Sequence, residues 1–332
     1  MALNVSTGTL GDTNPAVGAF PANHGFYVRE FIDVAAPELI YDMFGTKRSI
    51  PKGMSNSITY NRVEKLGTLE ATALTEGVTP TEQQFEINRI TATVSQYGGF
   101  ATTTDRLTDE SINGLTSEFN TRIAEQGGET MNKVTRNSLS GSSNVRYKSA
   151  AANRDAITAS GLAASDLAFI YLAFRNEKVK AMRPGTGGSV NVGTSPTKEQ
   201  YPWIVANDAI ALVEALTAFV PVENYSSQRA TWMNEYGSHK NFAVILDTEA
   251  EVVSNAAATP QDINKSLIFG KDAYDVVTIA NSDVEIIIKP LGSSGTADPL
   301  NQRSTIGWKA KKIAVVKQPL YMYRYEFSLG NT

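Results

Sequence analysis

Near the C-terminus, residues 289–310 read KPLGSSGTADPLNQRSTIGWKA and separate two strand-like runs. The segment combines turn-forming glycines and prolines with the charged residues Asp298, Arg303 and Lys309 and with the large apolar Trp308. A loop of this length inside a compact domain is normally functional or disordered, and small residues let other backbones approach closely. We therefore predict a loop that is held by contacts within this chain or with neighbouring chains.

Two segments far upstream predict a projecting β-hairpin. Residues 57–63, SITYNRV, alternate apolar and polar side chains, and residues 85–94, FEINRITATV, return after a polar segment. On the second strand Phe85 and Ile87 fall on one face and the later apolar residues on the other, which predicts a bulge or twist near Arg89. A two-stranded hairpin buries little surface by itself, so we expect it to need a partner chain.

The clearest helix is predicted over residues 109–139, where apolar side chains recur mostly at three- and four-residue steps. Thr108 is the expected N-cap. Gly127 and Gly128 lie inside this helix, where each glycine costs about 1 kcal/mol relative to alanine. Two explanations stay open: close packing against a neighbour, or a point at which the long helix bends.

The remaining pattern predicts a mixed α+β fold. Apolar runs at 242–247, 273–279 and 284–289 predict further strands, two of them central. The last strand, YMYRYEF (321–327), carries aromatic side chains on one face, and we expect this face to pack against the long helix.

Composition limits the function classes. The chain has 332 residues, a net charge of −4 and no cysteine, which excludes disulfides, zinc–thiolate sites and thiol catalysis. We find no secretory signal and no apolar run of about 18 residues, so no membrane span is expected. The first 25 residues are small and polar and predict a flexible arm.

No constellation for catalysis, metal binding or cofactor binding is found. The two histidines, His24 and His239, are expected at the surface, and no serine lies in a nucleophile elbow. The glycine-rich stretch 185–193 lacks the Lys-Ser/Thr ending of a phosphate loop. We therefore predict no enzyme and no cofactor.

Four blocks carry a resemblance to a known family. They are TALTEGVTP (72–80), ITATVSQYGGF followed by TTD (90–105), GKDAYDVVTI (270–279) and the segment 289–310. In this order they resemble the major capsid proteins of tailed bacteriophages, in the branch typified by the N-four-like coliphages.

The resemblance implies the Hong Kong ninety-seven type of capsid fold, divided into segments by residue number. They are an N-terminal arm and short helix (1–48), an extended hairpin loop (49–104), a peripheral domain with a long spine helix (105–199 and 286–332) and an axial domain (200–285). The implied function is self-assembly into pentamers and hexamers of an icosahedral shell around double-stranded DNA. The implied location is the virion capsid, assembled in the host cytoplasm.

The expected partners are copies of the chain itself, with scaffold, portal and decoration proteins and packaged DNA as further candidates, and no membrane. The candidate subunit-interface residues are Glu76, Val78 and Pro80 at the hairpin tip and Asp298, Arg303 and Lys309 in the C-terminal block. Gly127 and Gly128 are the candidate bend of the spine helix. Some relatives cross-link through a lysine in the extended loop, but no lysine lies between Leu66 and Gln84, so we predict non-covalent joining.

Two other function classes stay open. A different ring- or tube-forming phage structural protein would share the loop-rich composition without catalytic groups. A soluble α/β enzyme is the remote alternative, and it would require a pocket with convergent polar groups.

Overall fold

A computed structural model describes most of the chain, with gaps. The described residues are 40–64, 66, 73, 76–79, 82–106, 115–157, 160–185, 198–225, 232, 234–254, 256, 260–279, 284–293, 295 and 298–330. The predicted arm and the predicted cap Thr108 lie outside these residues, as does Pro80.

The described helices and strands confirm a mixed α+β architecture. The α-helices are α1 (Ile40–Phe44), α2 (Leu115–Ser140), α3 (Ala164–Asn176) and α4 (Ile210–Glu214). The strands are β1 (Thr46–Ile50), β2 (Ser57–Val63), β3 (Ile87–Thr93), β4 (Ser95–Thr104), β5 (Val145–Tyr147), β6 (Tyr201–Ala206), β7 (Phe219–Pro221), β8 (Glu235–His239), β9 (Phe242–Asp247), β10 (Val252–Val253), β11 (Asp262–Phe269), β12 (Tyr274–Ile279), β13 (Glu285–Lys289), β14 (Arg303–Val316) and β15 (Met322–Gly330).

One sheet is built around the long strand β14. The order β1-β12-β14-β13 is completed by β4, which pairs antiparallel with β14 from Arg303↔Thr104 to Lys312↔Ser95. The long helix α2 packs across this sheet through Ile123, Ala124 and Met131, which contact apolar side chains of β13 and β14. At 1.5 Å per residue, the 26 residues of α2 span roughly 39 Å.

The second sheet has the order β5-β15-β11-β6-β9-β8-β7, with β10 added at β11. Its central strands are fully buried; Trp203 and Val244, for example, expose nothing to solvent. The helix α3 covers one face and contributes Leu167, Ile170 and Phe174 to the main core. This sheet and its helix form the largest apolar core among the described residues.

The predicted hairpin is present, and its register is regular. β2 and β3 pair antiparallel without interruption from Ser57↔Thr93 to Val63↔Ile87. The predicted bulge near Arg89 is therefore wrong. The strand has apolar residues on both faces because Ile87 lies on its solvent-exposed face while Ile90 lies on the inner face; the strand itself is unbroken.

The C-terminal block is less loop-like than the sequence indicates. We expected a loop through residue 310, but β14 begins at Arg303, so Arg303 and Lys309 belong to a strand. This strand forms because β4 and β13 flank it on both sides and supply backbone hydrogen bonds that its small residues could not secure alone.

Two further expectations are wrong. The aromatic face of β15 packs on α3 rather than on the long helix, with the Phe174 and Tyr323 ring centroids 5.6 Å apart. His239, expected at the surface, is completely buried at the end of β8.

The sheet pairings also cross the boundaries of the predicted domains. β15 lies in the predicted peripheral segment 286–332 but pairs with β11 of the predicted axial segment 200–285. β12 lies in the axial segment but pairs with β14 of the peripheral one. The division into peripheral and axial domains stays a prediction, and strand partnership does not follow its residue limits.

Candidate subunit-interface surfaces

One face of the β2–β3 hairpin is apolar and the other polar, and the apolar side chains change from the inner face near the body to the outer face near the tip. Close to the body, the inner face is apolar: Ile58, Tyr60 and Ile90 pack against a small core under the sheet. Directly behind them the outer face is polar, with the Thr59 and Thr91 hydroxyls 3.2 Å apart. The near half of the hairpin is thus an ordinary strand pair with one buried face.

Towards the tip the polarity reverses. The cross-strand pair Val63 and Ile87 points outward and is 57% and 63% exposed, and Phe85 beside it is 69% exposed. We call Val63, Phe85 and Ile87 the hairpin patch. Grouped apolar side chains at a strand end are typical of a surface that another molecule covers.

The inner face of the same half carries charges that fix the hairpin to the body. Arg62 donates from Nη1 to Gln318 Oε1 at 2.7 Å and to the Lys317 carbonyl oxygen at 3.3 Å. Glu64 accepts from Asn88 Nδ2 at 2.7 Å and pairs with Arg62. The Asn88 and Arg62 hydrogen bonds lower the pKa of Glu64.

A second ionic contact lies at the hairpin base. The buried carboxylate of Asp275 pairs with Arg48 and with Lys317, whose Nζ lies 2.6 Å from Asp275 Oδ1. Burial, followed by the Asp275 carboxylate, raises the pKa of Tyr60. Arg48 also lies over the Tyr60 ring, 5.8 Å from its centroid. The direction of the hairpin is thus set by contacts with β1, β12 and the residues after β14.

Of the predicted tip residues, the structure describes Glu76 and Val78, and both are exposed. Val78 is 63% exposed and adds a further apolar side chain to the far end of the hairpin loop. Pro80 lies outside the described residues. That these residues contact a neighbouring chain stays a prediction.

The predicted C-terminal residues make local contacts. Asp298 is buried, and its Oδ2 accepts from the Arg303 backbone N–H at 2.7 Å, which closes the turn before β14. Lys309 Nζ lies 2.8 Å from Glu285 Oε2 across the β13–β14 pair, and this contact lowers the pKa of Glu285. Asp298 and Lys309 therefore stabilise their own strands, and their contact with a neighbour stays a prediction.

Sequence reasoning missed a second apolar surface on the outer face of the first sheet. Ile287, Gly307 and Phe100 occupy one row across β13, β14 and β4. Phe100 is 65% exposed and Ile287 36% exposed, and Gly307 lies buried between them. A Cβ at Gly307 would lie 2.9 Å from Phe100 Cβ and 3.0 Å from the Gly99 carbonyl oxygen, so the close approach of β4 to β14 requires glycine here. We call Phe100, Ile287 and Gly307 the sheet patch.

The signal for the hairpin patch was already present in the sequence. The apolar pair Phe85 and Ile87 is out of phase with the later apolar residues of the same strand. A strand with apolar residues on both faces needs to be covered on both sides, and the described residues cover only one of them. The sheet patch has no comparable signal, because its three residues come from three strands.

A buried ion pair joins α1 to the first sheet and is hydrogen-bonded to the long helix. Lys312 of β14 pairs with Asp42 of α1, and the Thr135 hydroxyl of α2 donates to Asp42 Oδ1 at 2.9 Å. Gly127 and Gly128 are both buried in the middle of α2, which is helical without a break. The burial fits the close-packing explanation, and a bend at these glycines stays a prediction.

The described residues do not form a metal-binding cluster. They contain no group of three or more His, Asp or Glu side chains placed to hold a metal ion. No helix in the described part of the chain is long and apolar enough to span a membrane.

The chain matches known proteins in structure but not in sequence. No family model matches the chain, and no curated protein sequence matches it. Among solved structures it is similar to the capsid of Ralstonia phage GP4, with a TM-score of 0.64 and 9% identity over 85% of this chain and 86% of that one. It is also similar to the capsid of cyanophage Pam1, with a TM-score of 0.57 and 13% identity over 85% and 87% of the two chains.

A third similar structure is the capsid of Helicobacter pylori bacteriophage KHP30, with a TM-score of 0.57 and 12% identity over 85% of this chain and 88% of that chain. Agreement over most of both chains at such low identity is agreement of fold. The chain has the Hong Kong ninety-seven type fold of tailed-phage capsid proteins, which confirms the predicted fold class.

Proposed function

We propose that this chain is the major capsid protein of a tailed bacteriophage and that it self-assembles into pentamers and hexamers of an icosahedral shell around double-stranded DNA. The observation that carries the proposal is the capsid fold, shared over 85% of the chain with phage capsid structures. The N-four-like branch, indicated by the sequence blocks at 72–105 and 270–310, is part of the proposal.

The two apolar patches support assembly. The hairpin patch faces away from its own body, and the sheet patch lies on a different part of the surface, so one copy can cover the patch of the next. A contact between two different surfaces is heterologous, and repetition of such a contact closes a ring when the rotation fits. Burying a valine, isoleucine or phenylalanine side chain contributes roughly 1.5–3 kcal/mol, so burial of the hairpin patch at each contact around a ring would favour assembly.

We extend the proposal to the predicted interface residues. Glu76, Val78 and Pro80 would meet a neighbouring copy at the hairpin tip. Arg303 and Lys309 would meet one beside the sheet patch, with Asp298 holding the turn that presents them. In this arrangement residues 49–104 form the extended loop, α2 is the spine of the peripheral domain (105–199 and 286–332), and residues 200–285 form the axial domain.

We also propose partners other than copies of the chain itself. Scaffold, portal and decoration proteins would contact the shell, packaged DNA would contact it without sequence specificity, and assembly would take place in the host cytoplasm. Joining would be non-covalent, because the stretch between Leu66 and Gln84 has no lysine. Denaturing electrophoresis of purified particles should therefore give a single band at the mass of the monomer.

Electron microscopy of the protein expressed alone, combined with sedimentation velocity, tests the function. We expect closed shells or free capsomers that sediment far faster than a 35.8 kDa monomer. Tubes or flat rings as the sole product would favour a different phage structural protein. A stable, dispersed monomer would argue against both and would favour the enzyme alternative.

A further inference from the structure

A basic cleft of about 540 Å³ lies at the C-terminal end of α3. It shares no residue with the hairpin patch or the sheet patch. Four cationic side chains line it, namely Arg175, Lys178, Lys180 and Lys271, and Glu199 is the one carboxylate among its lining residues. Its size is that of a ligand pocket rather than of a packing defect.

The end of α3 places the first two cations. Lys178 N–H donates to the Arg175 carbonyl oxygen at 3.1 Å and Val179 N–H to the Phe174 carbonyl oxygen at 2.9 Å, the hydrogen bonds of a Schellman helix end. The residue in the left-handed position of this motif is usually glycine, but here it is Lys178, with φ of 55°. The chain thus accepts an unfavourable backbone conformation and gains a cation at the cleft.

A close backbone approach brings the other two cations together. Lys271 N–H donates to the Lys180 carbonyl oxygen at 2.9 Å. Gly270 makes this contact possible, since a Cβ there would lie 2.2 Å from Val179 Cγ1 and 3.0 Å from the Lys180 oxygen. The two lysines therefore come from segments about 90 positions apart and are held beside each other by rigid backbone.

The charges of the cleft are not balanced by its own carboxylate. Glu199 already accepts from the Tyr171 hydroxyl at 2.8 Å and pairs with Arg175 at 3.2 Å. Within the described part of the chain, Lys178, Lys180 and Lys271 form no ion pair. Three unpaired lysines around one concave surface, in a chain whose net charge is −4, create a local positive potential that attracts anions.

We propose that this cleft binds the phosphate groups of a polyanion. Lysine ammonium groups act as mobile point charges and bind phosphate oxygens without fixed geometry, which suits a ligand with several phosphates and no required sequence. Two sources share this chemistry, a nucleic-acid backbone and a free polyphosphate. The choice of packaged DNA as the natural source rests on the proposed function, whereas the site itself does not.

The test compares two triple variants of the full chain. In the cleft variant Lys178, Lys180 and Lys271 are each changed to Gln, and in the matched control Lys47, Lys52 and Lys289 are each changed to Gln. The control lysines are exposed and lie outside the cleft, so both variants lose the same charge. The probes are a labelled DNA duplex of arbitrary sequence, followed by fluorescence anisotropy, and inorganic tripolyphosphate, followed by calorimetry. A polyglutamate peptide serves as the acidic-protein probe.

We expect the wild-type protein and the control variant to bind both phosphate probes, and tripolyphosphate to compete with the duplex. Removing three lysine–phosphate contacts should lower the slope of log Kd against log salt concentration for the duplex by about 2–3 units. The cleft variant should also lose saturable binding of tripolyphosphate. Binding of tripolyphosphate without competition against the duplex would assign the site to free polyphosphate.

Two results would overturn the phosphate site. In one, the cleft variant binds both phosphate probes as the wild-type protein does; in the other, polyglutamate binds as tightly as tripolyphosphate, which indicates a docking site for an acidic protein segment. Thermal unfolding of each variant checks that it is folded. Binding can be measured on dispersed protein or on particles, so absence of shells would count against the proposed function without deciding the outcome here.

Discussion

Buried charges connect distant parts of this chain. The Asp42–Lys312 pair joins α1 to β14 beneath α2, and Glu326 of β15 is held by Arg154 and Arg324. Both carboxylates are almost fully buried, so each depends on its cationic partner for charge compensation. These pairs fix where separate segments meet, and removal of one partner leaves an uncompensated charge in the core.

Changing Lys312 to Met should destabilise the fold strongly. The change removes the cationic partner of the buried Asp42 carboxylate and leaves it the Thr135 hydroxyl among the described residues; breaking a buried pair in this way costs about 3–5 kcal/mol. The free energy of unfolding from urea titration measures the loss. The double variant Asp42→Asn/Lys312→Met should recover much of it, because it leaves no unpaired charge. A single variant as stable as the wild-type protein would show that the pair contributes little.

The buried His239 predicts a loss of stability in acid. Burial, and then the nearby Lys240, lower its pKa, so the fold favours the neutral imidazole. Above an unfolded pKa of about 6.5 neither state is protonated, and below it the unfolded state binds a proton first, which opposes folding. The free energy of unfolding should therefore fall as pH drops through about 6.5 towards the lower folded pKa.

His239→Gln should remove this part of the pH dependence, and His24→Gln, which changes the only other histidine, should leave it in place. Urea titrations between pH 7.5 and pH 5.5 provide the comparison. Identical pH profiles for the wild-type protein and His239→Gln would show that this histidine does not contribute.

At the scale of elements, the hairpin depends on anchors at its inner face. Its two strands alone would be marginal in water, and the apolar inner contacts extend only over the half nearest the body. Arg62 supports the other half through Gln318 and the Lys317 carbonyl oxygen. On the outer face, the hydrogen bond recorded among the described residues, from Arg89 Nε to Asn61 Oδ1 at 3.4 Å, stays within the hairpin.

Arg62→Ala should loosen the far half of the hairpin and leave the body intact. Hydrogen bonds to a charged group contribute about 1.5–3 kcal/mol when buried, and less here because Arg62 is partly exposed. We expect faster amide hydrogen exchange in β2 and β3 and unchanged exchange in β6 and β9. Arg89→Ala is the matched control on the outer face of the same hairpin. Equally faster amide exchange of β2 and β3 in both variants would show that Arg62 does not anchor the hairpin.

Local pattern predicted some elements well and others poorly. The hairpin strands and the long helix were predictable, because alternation and a repeat of three to four residues are properties of neighbouring positions. The first part of β14 was not predicted, since Gly307 and Lys309 are poor strand formers that two flanking strands hold in place. The pairing of β15 with β11 could likewise not be predicted from local pattern, because it joins residues far apart in sequence.

At the scale of the whole molecule, the hairpin patch and the sheet patch are two groups of exposed apolar side chains among the described residues. The sequence pointed to the hairpin and to the C-terminal block as contact regions, and both regions carry or border a patch. It did not identify Phe100 or Ile287, whose grouping exists only in the folded sheet. It also suggested charged contacts where the structure shows local ion pairs, such as Lys309 with Glu285.

Phe85→Ser/Ile87→Ser should block assembly without destabilising the subunit. Both side chains are more than half exposed, so their removal costs the isolated fold little, whereas each buried in a contact would contribute roughly 1.5–3 kcal/mol. Sedimentation velocity should show loss of the fast particle fraction, with an unchanged midpoint of urea unfolding. Leu172→Ser, an exposed apolar residue on α3, is the control and should assemble normally. Normal assembly of the double variant would exclude the hairpin patch as a contact surface.

An electron cryomicroscopy reconstruction of particles formed by the wild-type protein tests the central claim most directly. We predict a closed icosahedral shell in which the β2–β3 hairpin of each subunit lies across the next, with Val63, Phe85 and Ile87 buried against that neighbour. A shell in which these three side chains still face solvent, or a protein that remains a monomer, would contradict this account.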